Sequence, residues 1–376
     1  MSKKIVIIGT TASGILGFRK DLIRSLFAQG HQLYTFATNY TDRQKEQVKR
    51  LGAIPLDYTL SRSGMNPIAD LKTLIQLRNL LKEIQPDVVF SYFSKPAIYG
   101  TLAAAWARVP RRVAMLEGLG FTFTEQPTKL IFKTKLIRRV QVMLYSVAFR
   151  FADRVIFLNP DDPVDLIERY KVKTRNVSVL GGIGLSLADY PYSPAPIEPV
   201  CFIFIGRLLA EKGVSEYIVA AQVVKQLHPE TEFVMLGSLD EGNPGGLTRV
   251  QLDALITQGA VIYPGQVDNV DEWLTRSSVF VLPSYREGVP RSTQEAMAIG
   301  RAVITTDVPG CRETVVEGVN GFFVPPWSPQ ELAQSMIKFI EQPELIEQMG
   351  KESYRIAQEK FDAQEVNERL VAMLLK

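Results

Sequence analysis

Cysteine and histidine are scarce in this 376-residue chain, with two of each. Cys201 and Cys311 are too few for a disulfide framework, and no Cys-x-x-Cys spacing occurs that would hold a metal or a redox pair. Such sparse cysteine fits a reducing cytoplasm. His31 follows Gly30 ahead of an expected strand, and His228 precedes Pro229. Neither makes a metal site or a catalytic triad, and both read as structural or exposed. No Asp-x-Asp motif occurs. No apolar stretch of about 18 residues runs free of charge, so no membrane-crossing helix is expected. The early apolar run Ile5 to Ile8 stops at Gly9, too soon for a signal-peptide core, and reads as a buried first strand. The net charge is only +3, which gives no ground for a nucleic-acid partner. There is no short-period repeat and no low-complexity tract.

Short apolar runs bounded by turn residues alternate with longer amphipathic segments. This is the βαβ pattern of a parallel sheet covered on both faces, so the fold class is α/β. Strands are expected near 5–8, 33–37, 54–56, 88–91, 112–116, 155–158 and 177–180. Helices are expected near 17–29, 41–51, 68–83, 97–106, 129–151 and 163–170. The segment from Tyr190 to Pro199 holds four prolines, which remove backbone donors and fix φ; it suits a linker. Beyond it the pattern restarts, with strands near 200–205, 232–236, 261–263, 279–282, 302–305 and 322–324. Two doubly wound, Rossmann-like domains follow, over 1–193 and 194–357. Open α/β sheets hold ligands at the carboxyl ends of their strands, so a ligand is expected in a central cleft.

The first strand leads into Gly9, Gly14 and Gly17. Glycines between a strand and a helix let backbone approach a phosphate. The spacing fails the dinucleotide fingerprint, and no acidic residue ends the second strand. A P-loop fails too, because Ile15-Leu16 stands where Lys-Ser/Thr is needed. A Gly/Ser-rich turn remains, open to a ligand role at Gly14 or to simple turn geometry.

The second half carries the charged residues. The first strand after the linker ends in Gly206-Arg207, with Glu211-Lys212-Gly213 close behind. Arg207 offers a planar fork of donors and Lys212 a mobile point charge, and both suit a diphosphate. A solvated surface pair is the plainer alternative. Further on, Glu287-Gly288-Val289-Pro290 precedes a helix expected to begin around Pro290, and Glu295 lies within it. One carboxylate can thus reach from a loop and the other from a helix, beside N–H groups of partial positive charge. Acids stabilising a helix start would look similar.

Gly206-Arg207, Glu211-Lys212-Gly213 and Glu287-Gly288-x-Pro290-x4-Glu295, in this order, resemble the retaining glycosyltransferases of family four, which have the GT-B architecture. Pro309-Gly310 with Glu313, and Asn320-Gly321, are similar to the same family. Glu117 to Phe121 and Gly237 to Pro244 are similar to members acting on polyprenyl-diphosphate-linked saccharides in bacterial surface-glycan assembly. The resemblance implies that Arg207 and Lys212 hold the donor diphosphate, Glu287 contacts the donor hexose and Glu295 binds ribose hydroxyls. Gly206, Gly288, Val289 and Pro290 would line the donor, Val267 would lie beside the base, and Gly14 would approach the phosphates or sugar. Glu117 and Arg19 are candidate acceptor contacts, although an acid in a loop is commonly just solvated. UDP is the implied nucleotide. Retention is implied at the anomeric carbon, with the leaving phosphate taking the acceptor proton. Two cations and helix N-termini can stabilise the leaving group, so no essential metal or other cofactor is expected. The C-terminal segment 358–376 would cross back to the first domain. Two rivals stay open: a UDP-sugar 2-epimerase of similar fold, and a transferase with a soluble acceptor.

Residues 126–152 hold no acid but six cations: Lys129, Lys133, Lys135, Arg138, Arg139 and Arg150. Phe132, Leu136, Val140, Met143 and Val147 recur at helical spacing. Such a segment can meet anionic lipid, or bury its apolar stripe in the core with its lysines in water. The expected location is the cytoplasm, peripheral on the inner face of the cell membrane.

Overall fold

The computed structural model describes residues 1–61, 66–125, 132–240 and 246–376. The chain divides into two compact units. The first comprises 1–122, 132–183 and 363–376, and the second comprises 184–362 with 123–125.

The first unit runs β1 (Lys4–Thr11), α1 (Ala12–Phe18), α2 (Lys20–Ala28), β2 (Gln32–Thr38), α3 (Asp42–Arg50), β3 (Ala53–Asp57), α4 (Pro67–Ile84), β4 (Val88–Tyr92), α5 (Ser94–Trp106), β5 (Arg111–Leu116), α6 (Phe132–Ala148), β6 (Arg154–Phe157), α7 (Asp161–Pro163) and β7 (Val177–Val179). Its strands order as β3-β2-β1-β4-β5-β6-β7, all parallel. Strand β4 is buried at every residue, as a central strand between two helical layers must be. The order reverses between β1 and β4, and that is where an open sheet presents a crevice.

The second unit runs β8 (Cys201–Ile205), α8 (Val214–Leu227), β9 (Glu232–Leu236), α9 (Arg249–Thr257), β10 (Ile262–Gly265), α10 (Val270–Thr275), β11 (Val279–Leu282), α11 (Arg291–Ile299), β12 (Ala302–Thr306), β13 (Gly321–Val324), α12 (Pro329–Glu341) and α13 (Glu344–Lys360). Its parallel sheet orders as β10-β9-β8-β11-β12-β13, with the reversal between β8 and β11. The last helix, α14 (Ala363–Leu375), packs on α2 and β4 of the first unit. Arg111 fastens it there, donating from Nε to the Leu374 carbonyl at 2.6 Å and from Nη2 to the Met373 carbonyl at 2.9 Å.

One local expectation is corrected. The single helix over 17–29 is two helices, α1 and α2, and the Gly/Ser-rich turn is largely absent. Strand β1 runs on to Thr11, whose hydroxyl accepts from the Gly14 N–H at 3.0 Å and caps α1 at once. Gly14 is therefore a first-turn helical residue. Arg19, with φ −125°, breaks the path between the two helices.

At α6 the structure decides between the two readings of its apolar stripe. Its buried residues are Thr134, Tyr145 and Ala148. Phe132, Leu136, Met143 and Val147 are exposed, Phe132 by 77%. The stripe does not fill the core. Arg139 and Arg150 are exposed at the same helical spacing, so the outward face mixes large apolar groups with cations. The portion of that segment at 126–131 lies outside the described residues. Among the described residues no helix is long and apolar enough to cross a membrane.

Candidate functional site

In the second unit the loops leaving β8 and β11 carry the charged residues. These are the two strands at which the order reverses. The β8 loop passes Gly206 and Arg207, makes a tight turn over Ala210–Lys212, and enters α8 through Gly213. Gly213 has φ +72°, and a Cβ there would strike the Pro283 carbonyl. Glycine is needed on both counts, since L residues avoid that region and the β11 loop passes at backbone distance. The Tyr285 N–H donates to the Glu211 carbonyl at 2.9 Å, lacing the two loops together.

This lacing sets the central pair. Lys212 Nζ lies 2.5 Å from Glu287 Oε1, and Ser284 Oγ donates to the same oxygen at 2.7 Å. Their side chains keep only 22% and 11% exposure. The Glu287 N–H donates to the Pro309 carbonyl at 2.9 Å, and the Glu287 and Gly288 carbonyls press on the α-carbon of Gly310, leaving no room for a Cβ. The Glu287 main chain is thus fixed against Pro309 and Gly310, and its carboxylate is held by the Lys212 cation and the Ser284 hydroxyl.

Arg207 differs. It is 57% exposed, with Asp240 at 3.7 Å, a loose surface pair of small energetic worth. Its guanidinium can turn toward an arriving anion at little cost. Gly206 lies against Gly237, whose absent Cβ would meet the Gly206 carbonyl.

Helix α11 starts beside these groups. Pro290 is its N-cap, with φ −67° and ψ 124°, so the helix begins at Arg291, one residue past the expected start. Ser292 Oγ donates to the Ile205 carbonyl at 3.1 Å, tying the first turn of α11 to the end of β8. Gly288, Val289 and Pro290 are buried. Glu295 Oε1 accepts from Arg291 Nε at 2.9 Å and from the Tyr190 hydroxyl at 2.8 Å. Val267 is half-buried just past β10. One switch point therefore gathers Gly206, Arg207, Lys212, Glu287, Gly288, Val289, Pro290 and the first turns of α11. Of the motif from Gly237 to Pro244, positions 241–244 lie outside the described residues.

In the first unit Arg19 and Glu117 are ion-paired, 1% and 9% exposed. The Arg19 guanidinium also stacks 4.3 Å from the Tyr92 ring centre. Glu117 is therefore not a solvated loop acid. Gly14 is buried near the Tyr92 phenol. His31 is structural: its Nδ1 accepts from the Lys3 N–H at 3.2 Å.

Ser284 and Tyr190 were not anticipated from the sequence. Ser284 sits three residues before Glu287, a spacing that a serine on a loop does not advertise. Tyr190 comes from the proline-rich segment, more than a hundred residues from its partner, and no local pattern points to it.

Two parallel doubly wound units with charged loops at a strand-order reversal define a nucleotide-sugar enzyme of the GT-B class. Residues 193–356 match the family model of glycosyl transferases group 1, and 19–182 match that of glycosyltransferase family 4. The chain belongs to these glycosyltransferases. It is similar to the N,N'-diacetylbacillosaminyl-diphospho-undecaprenol alpha-1,3-N-acetylgalactosaminyltransferase of Campylobacter jejuni, at 28% identity over 98% of this chain and 96% of the relative. It is also similar to the UDP-Gal:alpha-D-GlcNAc-diphosphoundecaprenol alpha-1,3-galactosyltransferase of Escherichia coli, at 28% identity over 71% of this chain and 69% of the relative. Among solved structures, sucrose-phosphate synthase from Thermosynechococcus elongatus aligns with TM-score 0.80 at 17% identity, covering 99% of this chain and 98% of that one. Anabaena HepE in complex with UDP-glucose aligns with TM-score 0.79 at 20% identity, covering 99% of both chains. At such identities these structures speak for the fold.

Proposed function

We propose that this glycosyltransferase moves a hexose or N-acetylhexosamine from a UDP-sugar to a polyprenyl-diphosphate-linked saccharide, retaining the anomeric configuration, in bacterial surface-glycan synthesis. The observation that carries the reading is the joining of Lys212 to Glu287 at the β8/β11 switch point, with Arg207 on the same loop as Lys212. On this reading Lys212 and Arg207 meet the donor diphosphate, and Glu287 meets sugar hydroxyls. The full-length likeness to a transferase whose name gives an undecaprenyl-diphosphate acceptor supports the acceptor class.

In the reaction the bond from the anomeric carbon to the leaving phosphate oxygen breaks, and the acceptor oxygen bonds to that carbon on the same face. The acceptor proton passes to the leaving phosphate. Negative charge grows on the diphosphate, where Arg207, Lys212 and the N-terminal end of α11 oppose it. No essential metal is required on this reading. The buried Glu117–Arg19 pair is assigned to the acceptor side.

A lipid-linked acceptor brings the enzyme to a bilayer. The outward face of α6, with Phe132, Leu136, Met143 and Val147 around Arg139, and Arg150 just past its end, is suited to anionic headgroups on the inner membrane face.

The test is release of nucleoside diphosphate from UDP-, GDP- and ADP-sugars, with EDTA present, with and without a polyprenyl-diphosphate-linked saccharide. Acceptor-stimulated release from a UDP-sugar is expected, and an α-linked product from an α-linked donor. Isomerisation of a donor without acceptor would replace the proposal with a 2-epimerase.

A further inference from the structure

Glu295 is held by a residue that lies far from it in sequence. The chain enters the second unit at Gly184 and makes a tight turn over Leu187–Asp189, closed by Tyr190 N–H donating to the Leu187 carbonyl at 3.1 Å. It then runs lengthwise along α11. The Ser193 N–H donates to the Ile299 carbonyl at 3.0 Å, and Arg301 Nη1 donates to the Ser193 carbonyl at 2.9 Å. Between these points the Tyr192 ring lies against the α-carbon of Gly300, which has φ +93° and no room for a Cβ. The backbone on both sides of Tyr190 is therefore fixed. Its hydroxyl reaches Glu295 Oε1, the same oxygen that accepts from Arg291.

We propose that Tyr190 is a positioning residue for the donor ribose, which sets the rotation of the Glu295 carboxylate. The inference rests on the assignment of Glu295 to the ribose hydroxyls. The terminal torsion of a glutamate is broad and nearly two-fold, so one donor leaves the group free to rock. Two donors on one oxygen, from opposite chain segments, define the plane and turn Oε2 in one direction. A carboxylate aimed in advance binds a diol without first ordering itself. Burial and the Glu295 charge push the Tyr190 phenol well above its ordinary range, so it stays a donor at every working pH. Its place in the entry segment also explains why a proline-rich stretch keeps a tyrosine whose hydroxyl points inward.

The test is equilibrium binding of UDP and of 2′,3′-dideoxy-UDP to the full chain, as wild type, Tyr190→Phe and Glu295→Ala. Tyr190→Phe keeps the ring and removes only the donor. It is expected to weaken UDP by roughly three- to tenfold, the net scale of one ordinary hydrogen bond, and to leave dideoxy-UDP within about twofold. Equal weakening of both ligands would make Tyr190 merely structural and overturn the proposal, as would unchanged binding of both. If Tyr190→Phe lowers the melting temperature, Arg291→Gln takes its place, and it must show the same ribose-selective loss. Glu295→Ala separates the two levels. Should it leave the preference for UDP over dideoxy-UDP as in wild type, the ribose assignment itself falls. Should it abolish that preference while Tyr190→Phe is silent, the role of Tyr190 alone is refuted.

Discussion

Replacing Lys212 by alanine leaves Glu287 as a carboxylate without its cation. Full burial would make such an orphaned charge cost about 3–5 kcal/mol. Here the side chains keep 22% and 11% exposure, and Ser284 still donates to the same oxygen at 2.7 Å. A smaller cost than that range applies, about 2–3 kcal/mol. For a unit of this size, that is a fall in Tm of roughly 5–10 °C for its transition. The catalytic loss has a different origin. Lys212 is assigned to the leaving diphosphate, so its removal should slow turnover on the order of a hundredfold or more. The double variant Lys212→Ala/Glu287→Ala separates the effects. It removes the unpaired charge and should recover most of the lost Tm, while activity falls further because the sugar contact is gone too. Thermal unfolding and initial rates of UDP release, measured on the wild type, Lys212→Ala, Glu287→Ala and the double variant, read both. A Lys212→Ala protein with wild-type turnover would refute the diphosphate role. A double variant no more stable than Lys212→Ala would refute the orphaned-charge reasoning.

Arg207→Ala should lower turnover by a similar factor with stability changed by less than about 0.5 kcal/mol, because its pair with Asp240 is exposed; unfolding and rate measurements on one preparation check this. Replacing Phe132, Leu136 and Met143 together by glutamate should abolish sedimentation with anionic vesicles and leave Tm nearly unchanged, since these side chains face outward; retained sedimentation would remove α6 as the contact. Burial pushes the thiols of Cys201 and Cys311 up to about 11 and about 12. At pH 8 the folded protein should resist iodoacetamide, and both cysteines should label on unfolding. The unfolded chain gives up these protons first, so this part of the stability is complete below about pH 9 and declines as pH rises toward 11.

Much of the architecture could be read from local pattern. A strand buried on both faces is a short apolar run whatever surrounds it, so the thirteen strands among the described residues fall near their expected places. Arg207, Lys212, Glu287 and Glu295 stood out because ligands gather at strand ends and turn residues mark those ends. Local pattern failed where a single side chain decides the path. The Thr11 hydroxyl began α1 earlier than the glycines suggested, and Arg19 divided one helical stretch into two. It left α6 open, because period alone gives the angle between apolar residues but not the side on which the sheet lies. Only tertiary structure turned Tyr145 inward and left Phe132, Leu136 and Met143 facing out.

Strand positions, the two-unit division of the chemistry and the types of charged group were determined by the sequence itself, because each depends on neighbours a few residues away. Partnerships were decided by folding. Lys212 with Glu287, Arg19 with Glu117 and Tyr190 with Glu295 join residues 75, 98 and 105 positions apart. Hydrogen bonds and ion pairs act over a few ångströms, and which distant residues come within that range is set by the order of strands in a sheet, which no local spacing encodes.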